Sequence, residues 1–159
     1  MPIDIINYLR YLDQERYRAI ILHTKPDLSQ SLMSFSKKLC KQVNGKYINL
    51  LNLFLHSKEL SSKIDTYRPE KLKDFLVDEG QNQPLIIVDQ ADFLIDTWRK
   101  SEKKDFFHII TRQWDGYIAA MKSKLIFALQ TSHEIESLKL IDSKGKSRIF
   151  RLEEFNNIS

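Results

Sequence analysis

Cysteine occurs once, at Cys40, and a single thiol excludes an internal disulfide and a cysteine zinc cluster. Its place within LMSFSKKLCKQV is one position of an amphipathic helix, so it reads as a core thiol. Glycine is almost as scarce. The chain has four, and the first is Gly45, which leaves the opening quarter without a glycine-rich turn. No apolar run approaches the roughly 20 residues of a spanning helix, and MPIDIINYLR lacks a basic start followed by an apolar block. The expectation is a cytoplasmic protein without a membrane partner. The four histidines (His23, His56, His108, His133) show no metal-ligand spacing, and no Ser-His-Asp set stands out.

What is present fits one soluble domain over residues 1–159. The chain is 42% hydrophobic and 29% charged, enough for a proper core. The formal charge of +4 is modest, but its distribution is uneven. Lys139, Lys144, Lys146, Arg148 and Arg151 stand against Asp142 alone, so this short segment carries a net charge equal to that of the whole chain. Such a segment reads either as a basic patch for phosphates or an acidic partner, or as a solvated turn. SKGK is a natural turn, because Gly145 tolerates positive φ between two extended runs.

Along the chain, helical and extended signals alternate without repeats. In residues 4–16, Ile5, Leu9 and Leu12 share a helical stripe that Asp4 can cap. YRAIILH (17–23) reads as a strand. In residues 29–43, Leu32, Phe35, Leu39 and Val43 fall on one helical face that stops before Asn44-Gly45. KYINLLNLF reads as a second strand. From Glu59 to Leu76 the pattern is helical but interrupted, with Pro69 opening a new helix after an extended Arg68. LIIVD is the third strand, after the polar loop GQNQP. Residues 96–122 give one or two helices carrying Trp98, Phe106, Ile110, Trp114 and Ile118. SKLIFALQTS is the fourth strand and SRIFRLEEF the fifth.

AIIL, LIIV and LIFAL are apolar throughout, as in strands buried on both faces, and the connections are long enough for helical crossovers. The expected architecture is α/β, a three-layer sandwich around a five-stranded, mainly parallel sheet. Ligands of such sheets sit beyond the carboxyl ends of the strands, here His23-Thr24, Asp89-Gln90 and Gln130-Thr131-Ser132.

This order of elements resembles the P-loop NTPases of the AAA+ and RecA-like division. IIVDQAD is similar to their Walker B element, with Asp89 in the magnesium-organising place. TKPDLSQS has the length of their phosphate loop, G-x-x-x-x-G-K-[ST]. Thr24 and Ser29, however, replace its glycines, and Gln30 replaces its lysine. Only Ser31 matches, as the hydroxyl that would join Asp89 on magnesium. Glycines let successive amides turn inward around an anion, whereas Thr24 is β-branched and Pro26 lacks an amide hydrogen. Lys25 is the one substitute cation in the loop. Gln90 stands where many of these enzymes carry the glutamate that activates water, and a glutamine is no general base. Gln130 or Thr131 would be the sensor. The chain runs only a few residues past SRIFRLEEF, so the resemblance implies a P-loop NTPase-like core without the usual helical lid.

Small size and a degenerate phosphate loop further resemble the BrxF family, the small P-loop proteins of type 3 bacteriophage-exclusion (BREX) systems. That resemblance implies a phage-defence accessory protein with a larger ATPase, a methyltransferase or a phosphatase-like protein as partner. Three readings of function follow. The first is a non-hydrolysing module that docks on an ATPase or a like subunit, offering Arg112, Arg148 or Arg151 as an arginine finger. The second is an enzyme holding ATP and magnesium at low affinity through Asp89, Ser31 and Lys25. The third is DNA binding through residues 139–151, although no helix-turn-helix or zinc signature supports it.

Overall fold

Strands that are apolar on both sides require cover on both faces, and the computed structural model, which describes residues 2–117 and 121–158, supplies it. Five strands form one sheet in the order β2-β3-β4-β1-β5, with every neighbouring pair parallel. They are β1 (Ala19–Thr24), β2 (Lys46–Asn49), β3 (Leu85–Asp89), β4 (Lys124–Gln130) and β5 (Ile149–Arg151). The helices are α1 (Ile5–Tyr11), α2 (Ser29–Val43), α3 (Leu50–Leu55), α4 (Lys58–Ser61), α5 (Pro69–Gly80), α6 (Asp92–Ile95), α7 (Lys100–Gln113) and α8 (His133–Ser137). This is a three-layer α/β sandwich with an all-parallel sheet, an arrangement compatible with a P-loop NTPase-like core.

Side chains alternate across each strand, which divides the core in two. Ile20, Leu22, Leu85, Ile87, Ile126 and Ala128 pack with Leu9 of α1 and with Leu32, Phe35 and Leu39 of α2. On the opposite face, Ile21, Ile86, Val88, Leu125 and Phe127 meet Leu72 and Leu76 of α5 and Phe106, Phe107 and Ile110 of α7. The alternation also assigns Asp89 to the α2 face, in phase with Leu85 and Ile87. Cys40 lies in the α2 core, where burial pushes its thiol up to about 12.

Local signals explain the best-read elements. Asp4 caps α1 by accepting from the amides of Ile6 and Asn7. The α2 helix spans the expected residues and ends at Asn44 in the left-handed conformation, φ 60°. Arg68 is extended and Pro69 opens α5. Gly145 turns at φ 79°, closing a tight reversal in which Asp142 and Lys146 are hydrogen-bonded.

Several boundaries differ from the sequence reading. The second strand stops at Asn49, whose side chain accepts from the Asn52 amide and starts α3, so LLNLFL is helical. The first strand begins at Ala19, Tyr17 instead forming an isolated bridge to Asp115. The fifth strand keeps three residues before a 3-10 turn at Leu152–Glu154. In the 96–122 region α7 accounts for Lys100–Gln113, with Trp98 before it and Trp114 at its end, and Ile118 lies outside the described residues. The short helices α6 and α8 were not foreseen.

Candidate functional site

The parallel sheet brings the polar ends of β1, β3 and β4 to one edge. The turn from β1 to α2 is built as ordinary structure. Thr24 remains in the strand, buried, and its hydroxyl donates to Glu153 Oε1 at 3.2 Å. Lys25 is extended and exposed, Pro26–Leu28 form a 3-10 turn, and Ser29 enters α2 with right-handed dihedrals. Positive φ among described non-glycine residues occurs only at Asn44, Asn82 and Gln90, so none falls between Thr24 and Ser31. The alternation of right- and left-handed residues that folds amides around an anion is therefore missing from this turn. Gln30 and Ser31 are exposed in the first turn of α2 and line a shallow cleft of about 490 Å³ with Ser34, Lys38, Asn157 and Ile158.

Asp89 lies outside that cleft and is 2% exposed. Tyr47 donates its hydroxyl to Oδ2 at 2.6 Å, and the Gln90 amide donates to Oδ1 at 2.8 Å. Burial raises the Asp89 carboxyl above its ordinary range, with these two bonds and the Lys37 charge pulling the other way. Burial and the Asp89 bond together push the Tyr47 phenol upward, which keeps it a donor. Gln90 sits at φ 59° and swings the chain from β3 toward α6. A glutamine in that region costs about 1 kcal/mol, and such outliers gather at sites where direction matters. Asp89 does not cap α6, whose cap position is Ala91.

Asp92 is tied into the structure beside this edge. Its Oδ1 accepts from the Gln130 amide at 3.1 Å, tying α6 to the end of β4. Burial is the main cause that pushes its carboxyl up to about 6. It lines a cleft of about 240 Å³ with Asp96, Lys103, Gln130, Thr131 and Glu134. Lys103 stands 3.7 Å from Asp96 and 3.9 Å from Glu134. Thr131, the sensor candidate, lies 2.8 Å from Nδ1 of His23, and its amide donates to the Thr24 carbonyl. His23 is buried, and burial followed by the nearby Arg151 charge lowers its imidazole, favouring the neutral form. Residue spacing could not have revealed the His23–Thr131 pair or Tyr47 over Asp89, because both depend on strand register.

One member of the basic patch, Arg148, requires correction. Arg148 is buried, and its guanidinium donates to the carbonyls of Ile141 (3.1 Å), Ala19 (3.1 Å) and Tyr17 (3.4 Å). It cannot serve as an arginine finger or meet DNA, since leaving would strand three carbonyls. Arg151 is exposed but 3.8 Å from Glu136, and Lys144 lies over the Tyr11 ring. Lys139, Lys146 and Arg112 are exposed. Among the described residues, no group of three or more His, Cys, Asp or Glu is placed to hold a metal ion. Tyr47 and the Gln90 amide each engage one oxygen of Asp89, the carboxylate expected to join Ser31 on magnesium. No helix among the described residues is long and apolar enough to cross a membrane. No protein-family model matches the chain, and no curated protein matches it.

Proposed function

We propose that this chain is a P-loop-like accessory protein that does not cleave nucleoside triphosphates unaided and works in the cytoplasm by docking on an ATPase partner, in the manner the BREX resemblance implies. One observation carries the reading. The turn from Thr24 to Ser31 has no positive-φ residue, and its first hydroxyl is spent on Glu153. A triphosphate placed there would meet a carboxylate where a cradle of amides and a lysine would be needed. The Asp89 position reinforces the point, because its oxygens are engaged by Tyr47 and Gln90. Gln90 contributes no general base.

The test is phosphate release from ATP and magnesium by nucleotide-stripped protein, alone and with Asp89→Ala. The expected result is no turnover above buffer in either sample. Turnover that Asp89→Ala abolishes would establish the weak ATPase and end the accessory reading.

A further inference from the structure

We infer that the outward face of α2, extended by Arg10 of α1, is a docking surface for the phosphate backbone of duplex nucleic acid. This surface is independent of the degenerate phosphate loop and distinct from the 139–151 segment. From Leu28 to Lys58 the chain contains five lysines and no aspartate or glutamate. Three of them, Lys37, Lys38 and Lys41, are exposed on α2. Arg10 is exposed on the neighbouring α1 and lines a cleft that Gln42 of α2 shares.

The absence of any acidic residue on their own helix sets these lysines apart. Some of the other lysines meet carboxylates, as in Lys46–Glu79 (2.6 Å), Lys73–Glu70 (2.8 Å) and Lys124–Asp13 (2.7 Å). Among the described residues no carboxylate lies within ion-pair distance of Arg10, Lys37, Lys38 or Lys41. Lys37 is steadied over the Tyr47 ring at 5.6 Å. Favourable interaction with the helix dipole accounts for Lys41 in the last turn, but not for a helix without an acid; on the α1 side, Asp4 lines the same cleft as Arg10 and Gln42 and is occupied in capping α1.

The neighbouring side chains select among polyanions. Ser31, Ser34 and Asn157 share a cleft with Lys38, and Gln42 and Asn157 share one with Arg10; all can hydrogen-bond phosphate and sugar oxygens. A membrane surface would call for apolar residues between the cations, yet the exposed large apolar side chain nearest in sequence is Leu28, at the opposite end of α2 from Lys37, Lys38 and Lys41, and Leu53, Leu55, Ile109, Tyr117 and Ile141 lie on other elements. Single strands would call for an exposed aromatic platform, and the aromatic residue of α2, Phe35, is buried. A helix of this length runs about 22 Å, over which a duplex presents several phosphates.

The experiment measures anisotropy of a short labelled DNA duplex against salt, with the full chain. Four phosphate contacts predict a log–log salt slope of about −3.6. Lys37→Gln, Lys38→Gln and Lys41→Gln together should bring it to about −1 and lower affinity at least about tenfold. Glutamine matches lysine in helix propensity, so α2 should persist. The parallel variant Lys139→Gln, Lys144→Gln and Lys146→Gln should bind as the unaltered chain does. Absence of duplex binding at low salt, equal loss in both variants, or tighter binding to anionic vesicles or polyglutamate would each overturn the assignment. Hydrogen exchange of the unaltered protein with duplex provides a fold-independent check. Protection over residues 29–43 is expected, and protection confined to 139–148 would overturn it.

Discussion

Two stretches of this chain are rich in cations, and the fold treats them in opposite ways. In the 139–151 segment, Arg148 is buried against backbone carbonyls, Arg151 faces Glu136, Lys144 lies on Tyr11, and the buried Asp142 sits among them. Along α2 the lysines are fewer, yet they face outward on a helix without a single acid. Charge counted along the sequence therefore misplaces the field that a partner would feel. Local density of cations marks the first stretch, whereas topology makes a surface of the second.

The strongest way to break this comparison is to remove Arg148. Its guanidinium satisfies three carbonyls and lies near the buried Glu15 and Asp142, whose charges oppose the effect of burial on it. Arg148→Ala leaves those groups unmatched, and urea unfolding should show a loss of about 3 kcal/mol. Arg148→Lys keeps the charge but not the fork of donors, and should recover only part of that loss. If Arg148→Ala unfolds at the same urea concentration as the unaltered protein, the arginine belongs to the surface after all.

A smaller effect should come from Asp142, which closes the same segment. Its Oδ1 accepts from the amides of Lys144 and Lys146, both at 2.9 Å, and Oδ2 accepts from the Tyr11 hydroxyl. Burial pulls this carboxyl upward, but the Lys146 and Lys144 amides and the Tyr11 bond outweigh it and hold it below its ordinary value. A carboxyl depressed on folding stabilises the protein above its unfolded pKa of about 4, and that contribution is lost as pH falls through the folded value. Asp142→Asn should cost about 1 kcal/mol at neutral pH and flatten the stability profile below about pH 4. Asp92 has the opposite sign. Its raised carboxyl makes stability fall as pH rises from about 4 to about 6, the value to which burial pushes it. Comparing Asp142→Asn with Asp92→Asn by urea unfolding from below about pH 4 up to about pH 6 separates the two slopes. A common slope would show that neither carboxylate holds its segment as described.

The legible parts of the sequence were those where local signals agreed. For α2 the apolar period, the Asn44-Gly45 stop and the element bounds coincide, and LIIVD is apolar at every position of a strand buried on both sides. LLNLFL could not be read alone, because short apolar runs fit a strand or a helix and the choice fell to one bond from Asn52 to Asn49. The site was harder still. Asp89, Gln90 and Thr131 could be singled out from strand ends, but Tyr47 over Asp89, His23 beside Thr131 and Asp92 beneath Gln130 are meetings across strands and loops. Arg148 was misjudged because its burial arises from Tyr17 and Ala19, more than a hundred residues away.

The smallest expected effect sharpens the comparison most directly, because it asks whether the exposed lysines of the first stretch contribute to the fold at all. Lys139 and Lys146 are exposed, and the Lys144 ammonium lies over the Tyr11 ring at 5.4 Å. Exposed cation–π contacts contribute about 0.5 kcal/mol, and lone surface lysines close to nothing. Replacing all three by glutamine should therefore shift the urea midpoint by less than about 0.5 kcal/mol equivalent, because the backbone amides of residues 144 and 146 still donate to Asp142 whatever side chains they carry. A loss approaching that of Arg148→Ala would mean that the tight reversal depends on its lysine side chains instead of its backbone, and the contrast between a buried anchor and its solvated neighbours would fail.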